Sequence, residues 1–270
     1  MGDITLSAGV RQNLLALQNT ADLFTQTSNR LATGKKVNSA LDNPNSFFTA
    51  QSLQGRASDL SNLLDAESNA VQTVQAANQG ITAIQKLVDS AKALANQALQ
   101  TSNTTTRADL ATQFGDLLTQ IDQLAKDSGF NGINLLNGDN LTVNFNEDGT
   151  SSATISGFTD TSTGLSIAAA AGSWATNTNI NAALTDISNA TATLRSQGAK
   201  LGSSLAVVQT RQDFTKNIIS VLQVGADNLT LADSNEEAAN LTALQTRQQI
   251  STVALSLSNQ ANQQVLRLFS

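Results

Sequence analysis

The sequence predicts a mainly α-helical protein: a long antiparallel helical rod or coiled-coil bundle formed by both chain ends, with a small β-hairpin region at the far end. Apolar residues recur at helical spacing through most of the 270 residues, and an aromatic content of 4% leaves a core of alanine and leucine that suits packed helices. Near the middle of the chain this spacing changes to an alternation of apolar and polar residues, which predicts the hairpin.

The first helix carries an apolar stripe close to the N-terminus and ends near Leu31. Successive positions of the stripe are three or four residues apart, which is the spacing of a coiled-coil seam. The stripe consists of Val10, Leu14, Leu17, Ala21, Phe24, Ser28 and Leu31.

A connector separates the first helix from the second. Gly34 can adopt the left-handed conformation that ends a helix. Asp42 or Asn43 is expected to cap the second helix, with the only proline of the chain, Pro44, in the first turn, where its missing N–H costs little.

The second helix is predicted from Phe47 to about Leu99, with two glycines, Gly55 and Gly80, as its weak points. A polar turn then leads to a third helix that ends before Gly129. Its three acidic residues, Asp109, Asp116 and Asp122, are expected to form a solvated helix face rather than acid/base pairs.

The β-hairpin is predicted between residues 138 and 172. Its strands would be Leu141–Phe145 and Ala153–Phe158, separated by the turn Asn146–Gly149, and they are expected to lie on the helical rod because two strands alone are unstable. Trp174, just after this region, is expected to pack locally.

Helical spacing resumes from Ile180 to about Val224, and a break is expected at residues 225–228. Residues 233–237 then predict the start of the last helix, whose apolar stripe lies almost at the chain end. This stripe consists of Ile250, Val253, Leu257, Ala261, Val265 and Leu268.

Two terminal stripes of this kind predict an assembly protein. Chain ends usually fray because nothing covers them. These apolar stripes would therefore remain exposed to solvent unless the two helices pair or neighbouring copies bury them. The predicted domains are therefore a terminal helix pair, residues 1–42 and 230–270, and a helical rod, residues 43–229. The alternative is that both stripes simply complete one monomeric bundle.

Composition excludes several other classes of function. A net charge of −6 and no basic cluster larger than Lys35–Lys36 argue against nucleic acid and against acidic membrane surfaces as partners. The chain has no Cys, His or Tyr and no phosphate loop or nucleophile elbow, so no enzyme is expected, and no catalytic, cofactor-binding or metal-ligating residue is assigned.

The N-terminus and the hydropathy of the chain give no sign of a membrane segment. The first residues lack the cationic start and apolar run of a cleaved signal peptide, and no stretch approaches the ~20 apolar residues that span a bilayer.

Three segments in order resemble bacterial flagellin. Residues 29–42, NRLATGKKVNSALD, are similar to the family's first helix end, connector and second helix start. Residues 129–136, GFNGINLL, resemble its turn into the β region, and residues 255–269, LSLSNQANQQVLRLF, resemble its terminal signature. The run Asp42–Phe48 departs from the usual Asp-Asp-Ala-Ala-Gly and is similar to an alphaproteobacterial short form.

The resemblance implies a structural subunit of the flagellar filament. Such a subunit would be exported unfolded by the flagellar type III apparatus with a chaperone, would polymerise beneath a cap, and would lie outside the cell. Its implied partners are further copies or sibling flagellins, the filament cap and the hook-junction proteins. The terminal helices would line the inner tube, and the residues of the two stripes would carry polymerisation.

Two other functions remain open at this point. A hook–filament junction protein has similar ends but would cap the hook rather than grow, and the FNG-type turn favours flagellin over it. A monomeric secreted helical binding module would not elongate when seeded with filament fragments.

The resemblance also identifies a receptor motif. Enteric flagellins present Gln-Arg-Val-Arg-Glu, followed by Leu-Ala-Val-Gln, to the vertebrate Toll-like receptor for flagellin. The equivalent positions here are Asp89, Ser90, Lys92 and Ala93, followed by Leu94-Ala95-Asn96-Gln97. This implies weak recognition, although these residues could equally be a solvated or subunit-facing helix surface.

Overall fold

The computed structural model describes residues 8–268, apart from the side chains of Asn262 and residues 265–268. Within residues 8–268, five helices and two strands follow one another, which confirms the mainly α-helical class with one small hairpin. They are α1 (Ala8–Thr33), α2 (Pro44–Leu99), α3 (Thr104–Asp127), β1 (Leu141–Asn144), β2 (Ser152–Ile155), α4 (Asn177–Thr230) and α5 (Ser234–Leu268), with a short 3-10 turn, Ala171–Trp174, before α4.

The chain forms two compact units. One contains residues 1–55 and 221–270, and the other contains residues 56–220. The predicted domain limits at residues 42 and 230 fall inside the first unit and remain a prediction.

In the first unit, α1 and α5 pack against each other. The pair is antiparallel, because the last turn of α1 meets the first turn of α5 in an ion pair between Arg30 Nη1 and Glu237 Oε1 at 3.3 Å. Beyond the two helix ends, the backbone N–H of Ala232 donates to the carbonyl of Gly34 at 2.9 Å.

The connector between α1 and α2 is fixed by short-range caps. Gly34 has a φ of +69°, as expected for a residue that ends a helix. Asn43 is the cap of α2, since its Oδ1 accepts the backbone N–H three residues on at 3.1 Å. Asp42 instead accepts the backbone N–H groups of Asn38 and Ser39, and these hydrogen bonds lower the pKa of its carboxyl group.

The break expected at residues 225–228 is wrong, because α4 continues without interruption to Thr230. Ala226 is fully buried, so packing holds this turn helical in spite of the preceding glycine. The helix ends where Lys36 of the connector donates its backbone N–H to Thr230 O and its ammonium group to Asn228 O.

In the unit of residues 56–220, one hydrophobic core joins α2, α3, α4, the hairpin and the loop after it. Periodic alanines and branched residues supply the helix faces, as the sequence predicted. Its largest fully buried apolar side chains are Trp174, Phe114, Ile81, Ile84, Ile121, Leu135, Leu136, Ile180, Ile187, Leu194 and Leu201.

The prediction of one long second helix is confirmed, because α2 is continuous through Gly55 and Gly80. Gly80 has a packing reason: a Cβ there would collide with Ser128 and Leu136. The glycine therefore permits a close approach of the chain after α3 to α2.

The hairpin is confirmed as an antiparallel pair in which Leu141 lies opposite Ile155. Its second strand ends at Ile155, three residues earlier than expected. Leu141, Val143 and Ile155 are buried in the core, so the hairpin lies on the helices through one face.

Two arginines hold the turn of the hairpin. Arg56 of α2 is 2.5 Å from Glu147, and the guanidinium of Arg211 on α4 lies 5.2 Å from the centroid of the Phe145 ring. Both contacts are exposed, so each stabilises the hairpin by about 1 kcal/mol or less.

The turn that follows α3 is tight. Asn131 and Gly132 have φ angles of +49° and +82°, and Phe130 and Ile133 exchange both backbone hydrogen bonds around them. Asn134 then donates to two of the last carbonyls of α3 and so caps its C-terminus.

Two expectations on side chains need correction. Trp174 packs on α3, with its ring centroid 4.9 Å from that of Phe114, rather than locally. Asp109 and Asp116 are exposed as expected, but Asp122 is half-buried and accepts the backbone N–H of Ser162 at 2.6 Å.

Candidate functional site

The candidate functional site is the surface of the α1–α5 pair. The predicted stripe of α1 lies mostly toward α5: Val10 is buried, and Leu17, Phe24 and Leu31 are half-buried. Leu14, at 37% exposure, lies at the margin of this face. The coiled-coil spacing of α1 therefore describes a helix contact within the chain.

The predicted stripe of α5 behaves differently. Ile250, Val253 and Leu257 are 64%, 67% and 66% exposed, and Ala261 is exposed as well. The side chains of Val265 and Leu268, the last members of the stripe, lie outside the described residues.

A different face of α5 packs on α1. Its half-buried positions are Leu241, Leu244, Gln248, Ser251, Ala254, Leu255 and Ser258. After residue 247, three of the five half-buried positions on this face are polar, so the pair buries little apolar area there. The exposed apolar face of α5, residues 250, 253, 257 and 261, is the more hydrophobic side of this segment.

Sequence analysis missed apolar residues that α1 also exposes. Leu15 is 58% and Leu23 is 47% exposed, each next to a member of the predicted stripe. The available signal was the pair of adjacent apolar residues, Leu14-Leu15 and Leu23-Phe24, because two neighbours on a helix point about 100° apart and cannot both face one partner.

The connector and the start of α2 expose a second set of apolar side chains that the sequence did not indicate. Leu41 is 96% and Phe48 is 58% exposed, and the Phe48 ring meets the Phe47 ring edge-on with centroids 5.5 Å apart. These residues belong to the same unit as the terminal pair.

Polar and charged groups flank the α1 helix in an open groove of about 680 Å³. Two cations, Arg30 and Lys36, and two carboxylates, Asp22 and Asp42, line it with several amides and hydroxyls. Arg30 is paired with Glu237, which does not line the groove, so Lys36 is the remaining cation beside the two carboxylates.

The equivalents of the receptor motif lie on α2. Asp89, Ser90, Lys92 and Ala93 are all exposed, because the intervening core positions of this helix point the other way. The Ser90 hydroxyl donates to the backbone carbonyl of Lys86 at 3.0 Å.

Within residues 8–268, no group of three or more His, Cys, Asp or Glu side chains is placed to hold a metal ion. None of the helices in that range is long and apolar enough to cross a membrane.

Comparison with known proteins gives consistent matches over both ends of the chain. The model of the bacterial flagellin N-terminal helical region matches residues 8–141, and that of the C-terminal helical region matches residues 175–269.

Individual flagellins match over nearly the whole chain. Flagellin FljM of Caulobacter vibrioides is 33% identical and covers 95% of this chain and 95% of its own length. Flagellin FljK of the same organism is 31% identical over 100% of this chain and 99% of its own, and a flagellin of Brucella melitensis is 28% identical with the same coverage.

Proposed function

The chain belongs to the bacterial flagellin family, and we propose that the exposed apolar face of α5 is the surface through which successive copies polymerise. Flagellins are the structural subunits of the flagellar filament, a role without enzymatic activity. This chain is such a subunit, and its place is the extracellular filament that drives swimming.

The observation that supports the polymerisation surface is the exposure of Ile250, Val253 and Leu257, each about two-thirds exposed. Burying one such side chain contributes roughly 1.5–3 kcal/mol. Three of them on one face favour contact with a neighbouring copy over exposure to water. Leu15 and Leu23 of α1 extend the apolar surface available to neighbours.

The proposal extends to the whole predicted stripe on each helix. Val10, Leu14, Leu17, Phe24 and Leu31 would align α1 on α5 and fix the face that α5 presents. In the filament, residues 1–42 and 230–270 would form the inner tube, and residues 43–229 the surrounding rods.

Partners follow from the same function. Filaments of this family contain one flagellin or several siblings, and four flagellins of Caulobacter vibrioides match this chain. We further propose the flagellar export apparatus, a chaperone, the filament cap and the hook-junction proteins as partners, because a subunit that adds at a distal tip has to be kept unfolded, delivered and retained.

A substitution at the centre of the exposed face tests the polymerisation surface. Leu257→Asp should leave the monomer folded and block elongation, because an unpaired carboxylate buried between copies costs several kcal/mol at each contact. Light scattering after seeding with wild-type filament fragments measures elongation, and circular dichroism checks the helix content of the monomer.

Ser256→Asp is the matched control. Ser256 is exposed in the same turn of α5, but it lies outside the apolar face, and the substitution introduces the same charge. It should elongate like the wild type. Normal filaments from Leu257→Asp would refute the proposed surface, and equal loss in both variants would show that charge alone is responsible.

A further inference from the structure

The loop that follows β2 is held on the helical core by backbone hydrogen bonds. Phe158 and Asp160 donate their N–H groups to the carbonyls of Leu135 and Leu136 at 2.6 and 2.9 Å. We name residues 156–167 the β2–α4 loop. Hydrogen exchange of these N–H groups therefore reports whether the β2–α4 loop is bound to the helical core, the state that we call seated.

Asp160 is an unusual anchor for this loop. Its residue exposure is 0%, and neither carboxyl oxygen has a hydrogen-bond partner among the residues that the structure describes. On α4, Gln197 also has a buried side-chain oxygen that lacks a partner within the described part of the chain. The Asp160 carboxyl group and the Gln197 side-chain oxygen are thus buried acceptors without a donor. A proton on the Asp160 carboxyl group would supply that donor.

Burial raises the pKa of the Asp160 carboxyl group to about 6, and the nearby side-chain amide of Gln197 offsets part of that rise in pKa. No charged group contributes to this shift. The charged residues nearby on the packed elements are Asp122 on α3, Asp139 after the Leu135–Leu136 segment, and Asp186 and Lys200 on α4.

These neighbours are engaged elsewhere or exposed. Each of the three carboxylates accepts a backbone N–H group: Asp122 from Ser162, Asp139 from Asn134 and Asp186 from Ala168. The fourth neighbour, Lys200, is exposed to solvent. The environment around Asp160 therefore favours a neutral carboxyl group.

We propose that Asp160 is a pH-sensitive latch, which fixes the β2–α4 loop on α4 while its carboxyl group is neutral and loosens the loop when the group ionises. The latch belongs to the folded monomer and operates whether or not the terminal helices polymerise.

The direction of the effect follows from the raised pKa. In the seated loop the carboxyl group prefers its proton, and in the open loop it titrates near its ordinary value of 3.8. The stabilisation is therefore complete below about pH 3.8 and is lost as the pH rises through about 6. The interval between the two pKa values corresponds to an increase of about 100-fold in the opening equilibrium of the loop.

Hydrogen exchange on the full-length monomer between pH 4.5 and 8 measures this opening. After correction for the intrinsic pH dependence of exchange, the amides of Phe158, Asp160 and Ile167 should lose protection progressively, by about 30-fold over this pH range in wild type. In Asp160→Asn, whose amide is neutral and can donate to an oxygen acceptor, protection should be independent of pH.

Glu67→Gln is the control. Glu67 is also fully buried, and burial raises the pKa of its carboxyl group, but it lies on α2 and pairs with Thr215. This variant should keep the full pH dependence of the loop. Equal protection of the loop amides at pH 5 and pH 8 in wild type, or an unchanged pH dependence in Asp160→Asn, would overturn the proposal.

A second measurement does not need any variant. The carbon-13 chemical shift of the Asp160 carboxyl group in wild type should titrate with a midpoint at the raised pKa of about 6. A midpoint at the ordinary value of 3.8 would also overturn the latch.

Discussion

Arg107 holds together the ends of three helices in the unit of residues 56–220. Its side chain is buried, with a residue exposure of 7%. Its guanidinium group donates to Ala98 O at 3.1 Å and to Thr101 O at 2.7 Å. It also donates to Ala175 O at 3.3 Å and to Asn177 Oδ1 at 2.5 Å. These groups lie at the end of α2, before α3 and at the start of α4. One side chain therefore satisfies polar groups that the helix ends leave unpaired.

Replacing Arg107 by Ala should lower the free energy of unfolding by about 3 kcal/mol, because buried acceptors lose their donors. Urea denaturation of the monomer, followed by circular dichroism, measures the change. Arg195→Ala, at an exposed position of α4, should change the free energy by less than about 0.5 kcal/mol. Equal effects from the two substitutions would contradict the role assigned to Arg107.

Such residues could not be recognised from the sequence. The sequence placed Asp122 on a solvated helix face and did not single out Arg107 or Asn134, because a polar side chain is assigned to solvent unless its partner is known. Their partners are carbonyl and N–H groups that only the folded chain brings near. By contrast, the caps at Gly34 and Asn43 were predictable, because their hydrogen bonds join residues close in sequence.

At the scale of elements, the two glycines of α2 should respond oppositely to alanine. A Cβ at Gly80 would collide with Ser128 and Leu136, whereas no described atom outside the helix backbone lies within 4 Å of a Cβ at Gly55. Gly80→Ala should therefore destabilise the monomer by roughly 1–3 kcal/mol, and Gly55→Ala should stabilise it by up to about 1 kcal/mol. Thermal unfolding of both variants measures the difference, and stabilisation by both would contradict the close approach at Gly80.

Helices and the hairpin followed from the sequence because their spacing is a local property. The end of α4 did not, since Gly225 favours a break while burial of Ala226 and the bonds from Lys36 favour a helix. Tertiary packing decided that competition. The face that α5 turns to α1 could not be predicted from the sequence either, because the stripe shows which residues are apolar but not which partner covers them.

The terminal helices should be the least protected elements of the monomer. The face that α5 turns to α1 contains Gln248, Ser251 and Ser258, so little apolar area resists opening. Hydrogen exchange in dilute monomer should be fast for amides of residues 10–30 and 250–268, and slow for the same amides in filaments. Slow exchange in the dilute monomer would contradict this expectation.

At the scale of the whole molecule, the proposed polymerisation surface and the receptor-motif equivalents lie on different helices. The polymerisation surface that we propose is the exposed face of α5, whereas the receptor-motif equivalents lie in the other compact unit, on α2. Asp89, Ser90, Lys92 and Ala93 are exposed there. The flagellin fold can therefore be kept while the receptor motif changes.

The motif of enteric flagellins has two arginines and a glutamate, whereas the equivalent positions here retain one cation, Lys92. An ammonium group cannot form the planar bidentate pair that a guanidinium forms with a carboxylate. Losing buried charge-assisted contacts of this kind costs about 2–5 kcal/mol, which corresponds to a loss of roughly 30-fold or more in affinity.

We therefore expect this monomer to activate reporter cells for the vertebrate Toll-like receptor for flagellin only weakly. The triple variant Ser90→Arg, Lys92→Arg, Ala93→Glu restores both guanidinium groups and the carboxylate, and should raise the potency. Lys86→Arg changes an exposed lysine one turn away on the same helix, outside the motif, and should leave the potency unchanged. Wild-type potency equal to that of an enteric flagellin would show that these positions do not control recognition.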